Sequence, residues 1–150
     1  MSMDATPGLP AVREDGGVIF GVLNIAPDRH EVPRARKWIA DVVAARIAHP
    51  LSIAADAVDD LLLCASEVIT NAVLHGDGAI TIVLVRRPNS VRVEVIDAGT
   101  ASAEGLSHVR DDVPLDATSG RGLMIVEALA DTWGTRADDA GRTVWFEVEF

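Results

Sequence analysis

The spacing of apolar residues in this chain changes from a helical period to a strand period near residue 78, which restricts the chain to folds that combine helices with a sheet. Between residues 29 and 75 apolar side chains recur every three or four positions, which predicts two helices, the second from about Leu51 to His75. From residue 79 they alternate in AITIVLVRR and SVRVEVIDA, which predicts two strands with Val91, Val93 and Val95 facing the core. Pro88-Asn89 between them favours a hairpin.

The remaining segments complete a mixed architecture. VIFGVLNI, residues 18–25, predicts a first strand, and RGLMIVEALAD predicts a helix with Ser119 as a candidate N-cap. WGTRA and RTVWFEVEF predict two more strands. One face of the last strand carries Val144, Phe146, Val148 and Phe150. The order β-α-α-β-β-loop-α-β-β predicts an α+β sandwich with helices packed on one face of a largely antiparallel sheet.

Length and charge exclude several classes of protein. With 150 residues in the chain, we expect a single domain over residues 18–150 after a flexible N-terminal segment, residues 1–17. The net charge of -10 and the single lysine, Lys37, disfavour direct nucleic-acid binding and leave no lysine for a P-loop. No apolar stretch reaches the ~20 residues of a membrane span and no signal peptide is recognisable, so we expect a cytoplasmic protein without membrane contact. The one cysteine, Cys64, is expected to be a packing residue.

A carboxylate and a carboxamide lie one helical turn apart in SEVITNAVLHG, at Glu67 and Asn71. At about 100° per residue the two side chains share one helix face, and a solvated polar face is the ordinary interpretation of such a pair. Leu63 and Leu74 lie within about 40° of Glu67, however, so this face is also partly apolar. A carboxylate that can take a proton beside an amide oxygen that can bind a hard cation suits a site where Mg²⁺ carries phosphates.

Two further motifs follow along the chain. VEVIDAG places Asp97 at the end of a strand, where its carboxylate can accept a hydrogen bond from an exocyclic amine, although Asp before Gly is also common in turns. SGRGLMIV places Gly120 and Gly122 at a helix start, where bare backbone N–H groups attract anions, although such glycines are often structural. Neither motif is specific alone.

Together and in this order, the three motifs resemble those of the GHKL ATPases, the superfamily that shares the Bergerat nucleotide-binding fold, a two-layer sandwich. Within it, the short length, EVITNAVLHG, GRGLMIVEALAD and the closing GRTVWFEV resemble the anti-sigma-factor serine/threonine kinases of bacteria. The resemblance covers residues from about 18 to 150.

The resemblance implies ATP and Mg²⁺ as cofactors and a role for each matching residue. Glu67 would be the general base, Asn71 would ligate Mg²⁺, and Asp97 would bind the adenine amine. The other nucleotide-binding residues would be Gly99 beside Asp97, the phosphate-binding Gly120, Arg121 and Gly122, the adjoining Leu123, and Thr143 at the adenine end. Residues 98–119 would form the ATP lid. Ala101 stands where the family's second motif has its second glycine, and alanine disfavours positive φ at that hinge.

Two functions remain open. The first is a kinase that transfers the ATP γ-phosphate to a serine or threonine of an anti-anti-sigma antagonist and, in another state, sequesters a sigma factor, whether as a monomer or as a homodimer. The second is a non-catalytic module that regulates by docking to its partners, with or without ATP. Glu67 favours the kinase, because a binding module has no need of a base. A histidine kinase is disfavoured, because no separate helical domain is present to offer a phosphoacceptor histidine.

Overall fold

The computed structural model describes residues 11–13, 15–46, 55–75, 78–98, 117–139 and 141–150. It contains three helices and six strands within these ranges. Their bounds, in chain order, are β1 Ala11–Val12, β2 Val18–Ile25, α1 Glu31–Arg46, α2 Ala55–His75, β3 Ile80–Arg87, β4 Ser90–Asp97, α3 Ala117–Leu129, β5 Thr132–Asp138 and β6 Gly141–Glu149. The predicted order of helices and strands is confirmed, with β1 as an addition.

The six strands form one sheet in the order β1-β2-β3-β4-β6-β5, and every neighbouring pair is antiparallel. The predicted hairpin joins β3 to β4, with Arg87 paired to Ser90 across Pro88-Asn89. The backbone N–H of Phe150 donates to the Asn89 carbonyl at 3.1 Å, so the end of the chain is attached to this turn. The α+β fold class is confirmed.

One face of the sheet, here called the inner face, carries apolar side chains and packs against all three helices. Its rows follow the strand register: Ile82 pairs with Val95, and Val93 pairs with Phe146. Helix α1 contributes Ala35, Ile39 and Val43 to the same buried cluster, and α3 contributes Val126. Helix α2 packs against both β4 and β6. The buried residues of α2 are Leu61, Cys64, Ala65, Val68, Ile69 and Ala72.

The opposite face, here called the outer face, is covered by charged side chains and by the N-terminal turn. Val85, Arg92 and Glu147 lie on it, in one row of the strand register. Residues 11–13 and 15–17, in the segment expected to be flexible, take part in the fold: β1 pairs with β2, and Arg13 binds Glu94 through two hydrogen bonds of 3.0 and 2.7 Å. Glu94 is only 1% exposed.

The third helix begins earlier than the sequence suggests. Helix α3 starts at Ala117, so Ser119 lies inside its first turn and not at the N-cap. Helix ends assigned by hydrogen bonding shift by one or two residues between criteria, and the prediction is wrong by that amount. In the part of the chain that the structure describes, no helix is long and apolar enough to cross a membrane.

Candidate functional site

Helix α2 carries the predicted pair Glu67 and Asn71 along the edge of its buried face. Glu67 and Asn71 are both half-buried, whereas Leu63 and Leu74 are 39% and 48% exposed. The two polar side chains therefore lie at the boundary between the core and solvent. A carboxylate at such a boundary can take part in proton transfer without the large desolvation cost of full burial.

The pKa of the neighbouring Cys64 thiol reflects the negative charge of Glu67. Burial, together with the negative charges of Asp60 and Glu67, raises the pKa of the Cys64 thiol to about 12. Glu67 therefore lies close enough to the buried side of α2 for its charge to act there. Cys64 stays a protonated thiol at neutral pH, which agrees with the expected packing role and excludes it as a thiolate nucleophile.

Asp97 ends β4 on the inner face. It is 8% exposed, and it pairs in the strand register with Ile80 on one side and Arg142 on the other. Strand alternation places its side chain on the same face as Val91, Val93 and Val95, toward the helices. A nearly buried carboxylate at the rim of the core can accept hydrogen bonds from a ligand that enters between sheet and helices.

Gly141 fixes the backbone beside Asp97. It has a φ of 124°, a conformation that residues with a Cβ rarely adopt, and a Cβ built on it would overlap the Asp97 carbonyl oxygen. With glycine at position 141, the β5–β6 turn therefore approaches the end of β4 more closely than it could with any other residue there. The sequence motif contained this glycine, but only the structure shows which backbone it approaches.

The chain topology brings the motifs to one end of the sheet. Helix α2 ends at His75, five residues before Ile80, the register partner of Asp97, so Asn71 lies at the Asp97 end of the sheet. Helix α3 ends at Leu129, and the Asp131 N–H then bonds the Glu147 carbonyl, far along β6 from Arg142. Because α3 packs against α2, its N-terminal half, which contains residues 120–122, extends back toward the Asp97 end.

Thr143 lies at the same end of the sheet but on its other face. It pairs with Ile96 and Arg136, one residue out of phase with Asp97, so alternation places it on the outer face beside Trp145. Thr143 is buried there. The residue of the last motif that lies next to Asp97 on the inner face is Arg142. The alternation in β6 already indicated this placement, because Val144 and Phe146 were expected to face the core and the adjoining Thr143 therefore faces the other way.

Several predicted positions lie outside the described residues. Gly99, Ala101 and most of the predicted lid, residues 99–116, are among them. The backbones of Gly120, Arg121 and Gly122 lie within α3, the first of them three residues after its start, and Leu123 is half-buried in the same helix.

The described residues fit a nucleotide and one hard cation held jointly with phosphates. No cluster of three or more His, Cys, Asp or Glu side chains capable of holding a metal occurs within the described ranges. Asn71 offers one amide oxygen, and hard cations in phosphate sites commonly take one or two protein ligands while phosphates and water supply the others. The nearly buried Asp97 carboxylate provides an acceptor for a base amine at the same end of the sheet.

Comparisons with known proteins bear directly on this arrangement. A family model described as a histidine kinase-like ATPase domain matches residues 25–148. Over 102 residues the chain is 30% identical to the anti-sigma F factor of Clostridium acetobutylicum, an alignment that covers 61% of this chain and 69% of that protein. The two matches confirm the resemblance to the GHKL superfamily and to its anti-sigma-factor branch.

Proposed function

Since the chain belongs to the family of histidine kinase-like ATPase domains, we propose that it binds ATP with Mg²⁺ at the end of the sheet where Asp97 lies. Asp97 accepts a hydrogen bond from the adenine amine, and Asn71 ligates the cation. The backbone of residues 120–122 and of Gly99 meets the nucleotide near these groups. The observation that carries the proposal is the placement of a half-buried Glu67–Asn71 pair and a nearly buried Asp97 at one end of the sheet.

The proposed reaction is phosphate transfer to a serine or threonine of a protein antagonist of the anti-anti-sigma kind. Glu67 takes the proton of the incoming hydroxyl as its oxygen bonds to the γ-phosphorus, and the bond from that phosphorus to the bridging oxygen breaks to leave ADP. Mg²⁺ supplies positive charge to the phosphates. Glu67 lies one turn from Asn71, about 6 Å along the helix, so the base and the cation ligand serve neighbouring parts of one site.

The proposed biological role follows from the relative named an anti-sigma F factor. This chain sequesters a sigma factor in the cytoplasm and releases it when its antagonist is unphosphorylated. A docking module without catalysis is the competing role, and Glu67 argues against it. A carboxylate held at the boundary of the core has a use in proton transfer that partner docking alone does not require.

One experiment with three site variants tests the assignment. Single-turnover transfer from labelled ATP to a purified antagonist is measured beside calorimetric titration with ADP and Mg²⁺. Glu67→Gln should keep nucleotide binding and lose about 10²- to 10⁴-fold in transfer rate, because glutamine cannot take the proton. Asn71→Ala should weaken binding of the Mg²⁺ nucleotide, and Asp97→Asn should weaken binding about 5- to 150-fold through loss of the adenine contact.

Asp59→Asn is the matched control, because it removes one carboxylate from the exposed surface of the same helix. It should leave both binding and transfer at the level of the parent protein. Transfer by Glu67→Gln at the parent rate would refute the base assignment. A parent protein that binds ATP and a sigma factor but phosphorylates no antagonist would establish the docking role instead.

A further inference from the structure

Arg142 occupies a position beside Asp97 that the motif comparison alone does not assign to any role. The two residues are register partners on adjacent antiparallel strands, so their Cβ atoms are about 4.5–5.5 Å apart on one face of the sheet. Both belong to the last row of the inner face, which also contains Ile80 and Ala137. Beyond this row the described strands β3 and β4 have no further residues in the sheet.

The Arg142 side chain is half-buried, and none of the ion pairs between described residues involves it. Three arginines at the outer face, by contrast, are paired: Arg13 with Glu94, Arg87 with Asp15, and Arg92 with Glu147. A partly desolvated guanidinium is stabilised by acceptors within its reach, and a ligand bound in this row would supply them beside the Asp97 carboxylate.

We propose that Arg142 is a second base-reading residue, which donates a hydrogen bond to ring nitrogen N1 of the adenine whose amine is bound by Asp97. This inference rests on the proposed nucleotide site. The edge of adenine that carries the amine presents a donor at N6 and, directly beside it, an acceptor at N1. Asp97 has acceptors only and Arg142 has donors only, so the adjacent pair complements that edge.

The length of the arginine side chain agrees with this division of roles. Asp97 is short and nearly buried, so it reaches only the part of a base that lies against the end of β4. Arg142 is longer and carries its donors farther from the sheet, so it can meet the neighbouring ring atom without displacing the carboxylate. Gly141 keeps the two strands close at this point, because a Cβ there would overlap the Asp97 backbone.

The test compares three nucleotides on the parent protein and on Arg142→Met, which keeps much of the side-chain length and removes both the charge and every hydrogen-bond donor. The probes are ADP, 1-deaza-ADP, which lacks the N1 acceptor, and 7-deaza-ADP, which keeps N1 and lacks N7. The parent should bind 1-deaza-ADP about tenfold more weakly than ADP, the usual effect of losing a charged hydrogen bond. Arg142→Met should bind ADP and 1-deaza-ADP with nearly equal affinity, and 7-deaza-ADP should follow ADP in both proteins.

The comparison of ligands on one protein separates base reading from a general loss of stability, which would weaken all three probes equally. An unchanged ratio of ADP to 1-deaza-ADP affinity in Arg142→Met, or equal weakening of every probe, would overturn the role of Arg142 and leave the nucleotide site standing. A loss confined to 7-deaza-ADP would also overturn it, since the contact would then be to N7. Absence of any ADP binding by the parent would refute the proposed function, and this inference with it.

Discussion

On the inner face of the sheet, side chains of β3, β4 and β6 meet three helices, whereas on the outer face they meet one another and the turn that follows β1. Phe146 and Val93 represent the first kind of burial, in which apolar side chains pack against one another. Glu94 represents the second, since it is as buried as they are and yet carries a charge held by Arg13. One sheet is thus covered on its two faces by different interactions.

The outer face is organised around Arg92. Its guanidinium lies 4.0 Å from the centre of the Trp145 ring and donates to Glu147 at 2.9 Å. A Cβ on Gly134 of β5 would come within 2.8 Å of the same ring, so Trp145 lies flat against a strand with no side chain at that position. Cation–π contact and paired charges therefore do on this face what helix packing does on the other.

This difference separates stability from function. The proposed nucleotide contacts of Asp97 and Arg142 belong to the last inner row, so changes on the inner face should affect both folding and binding. Changes on the outer face should reduce stability and leave nucleotide affinity nearly unchanged. Four variants, taken from the largest expected effect to the smallest, test that contrast.

Phe146→Ala should have the largest effect on stability. Phe146 is fully buried on the inner face between Val93 and Trp133, and truncating a buried phenylalanine costs about 3–5 kcal/mol of unfolding free energy. Urea unfolding of the variant beside the parent measures this. A loss below about 1 kcal/mol would show that the inner face is not the main source of stability.

Arg13→Met should have an intermediate effect, because among the described residues it leaves the buried Glu94 carboxylate with the 3.7 Å ion pair to Arg92 alone. Arg13 is itself about a quarter exposed, so we expect a loss of about 1–3 kcal/mol, below the range for fully buried pairs. Nucleotide affinity, measured by calorimetry, should stay within about twofold of the parent.

The double variant Arg13→Met with Glu94→Met sharpens this test. It removes both charges, and replacement of a buried ion pair by apolar side chains is often neutral or stabilising. The double variant should therefore be more stable than Arg13→Met alone. If it is less stable, the burial of Glu94 depends on something other than its pairing with Arg13.

The sequence predicted the inner face well because its signals are local. Alternation in β3 and β4 placed Val91, Val93 and Val95 toward the core, and Pro88-Asn89 identified the hairpin without knowledge of the rest of the chain. The motif spacing likewise identified Glu67 and Asn71 as neighbours on α2. Each of these features depends on residues within about one turn or one hairpin of each other.

The outer face was not predictable in the same way. Glu94 alternates with the core-facing valines of β4, which predicts a solvent-exposed side chain. Its burial depends on Arg13, a residue 81 positions away. The strand β1 has only two residues, too few for a periodic pattern. The assignment of Thr143 to the adenine end stays a prediction, which followed motif position, whereas strand parity favours Arg142 as the neighbour of Asp97 on the inner face.

Asp15→Asn should have the smallest effect, and its pH dependence tests whether the turn on the outer face is held by charge. The pKa of Asp15 is lowered from 3.8, chiefly by the hydrogen bond from the Gly17 backbone N–H and also by Arg87, whose Nη1 donates to it at 2.7 Å. A carboxyl group whose pKa is lower in the folded state stabilises the protein above its unfolded pKa, and that contribution is lost as the pH falls through the folded pKa. Because Asp15 is exposed, the parent should be only slightly more stable than Asp15→Asn at pH 7, and the difference should fall steadily as the pH falls below 3.8. Thermal unfolding of both proteins from pH 7 downward measures the difference, and a difference that grows toward low pH would mean that Asp15 is held as a neutral acid and that charge does not fix this turn.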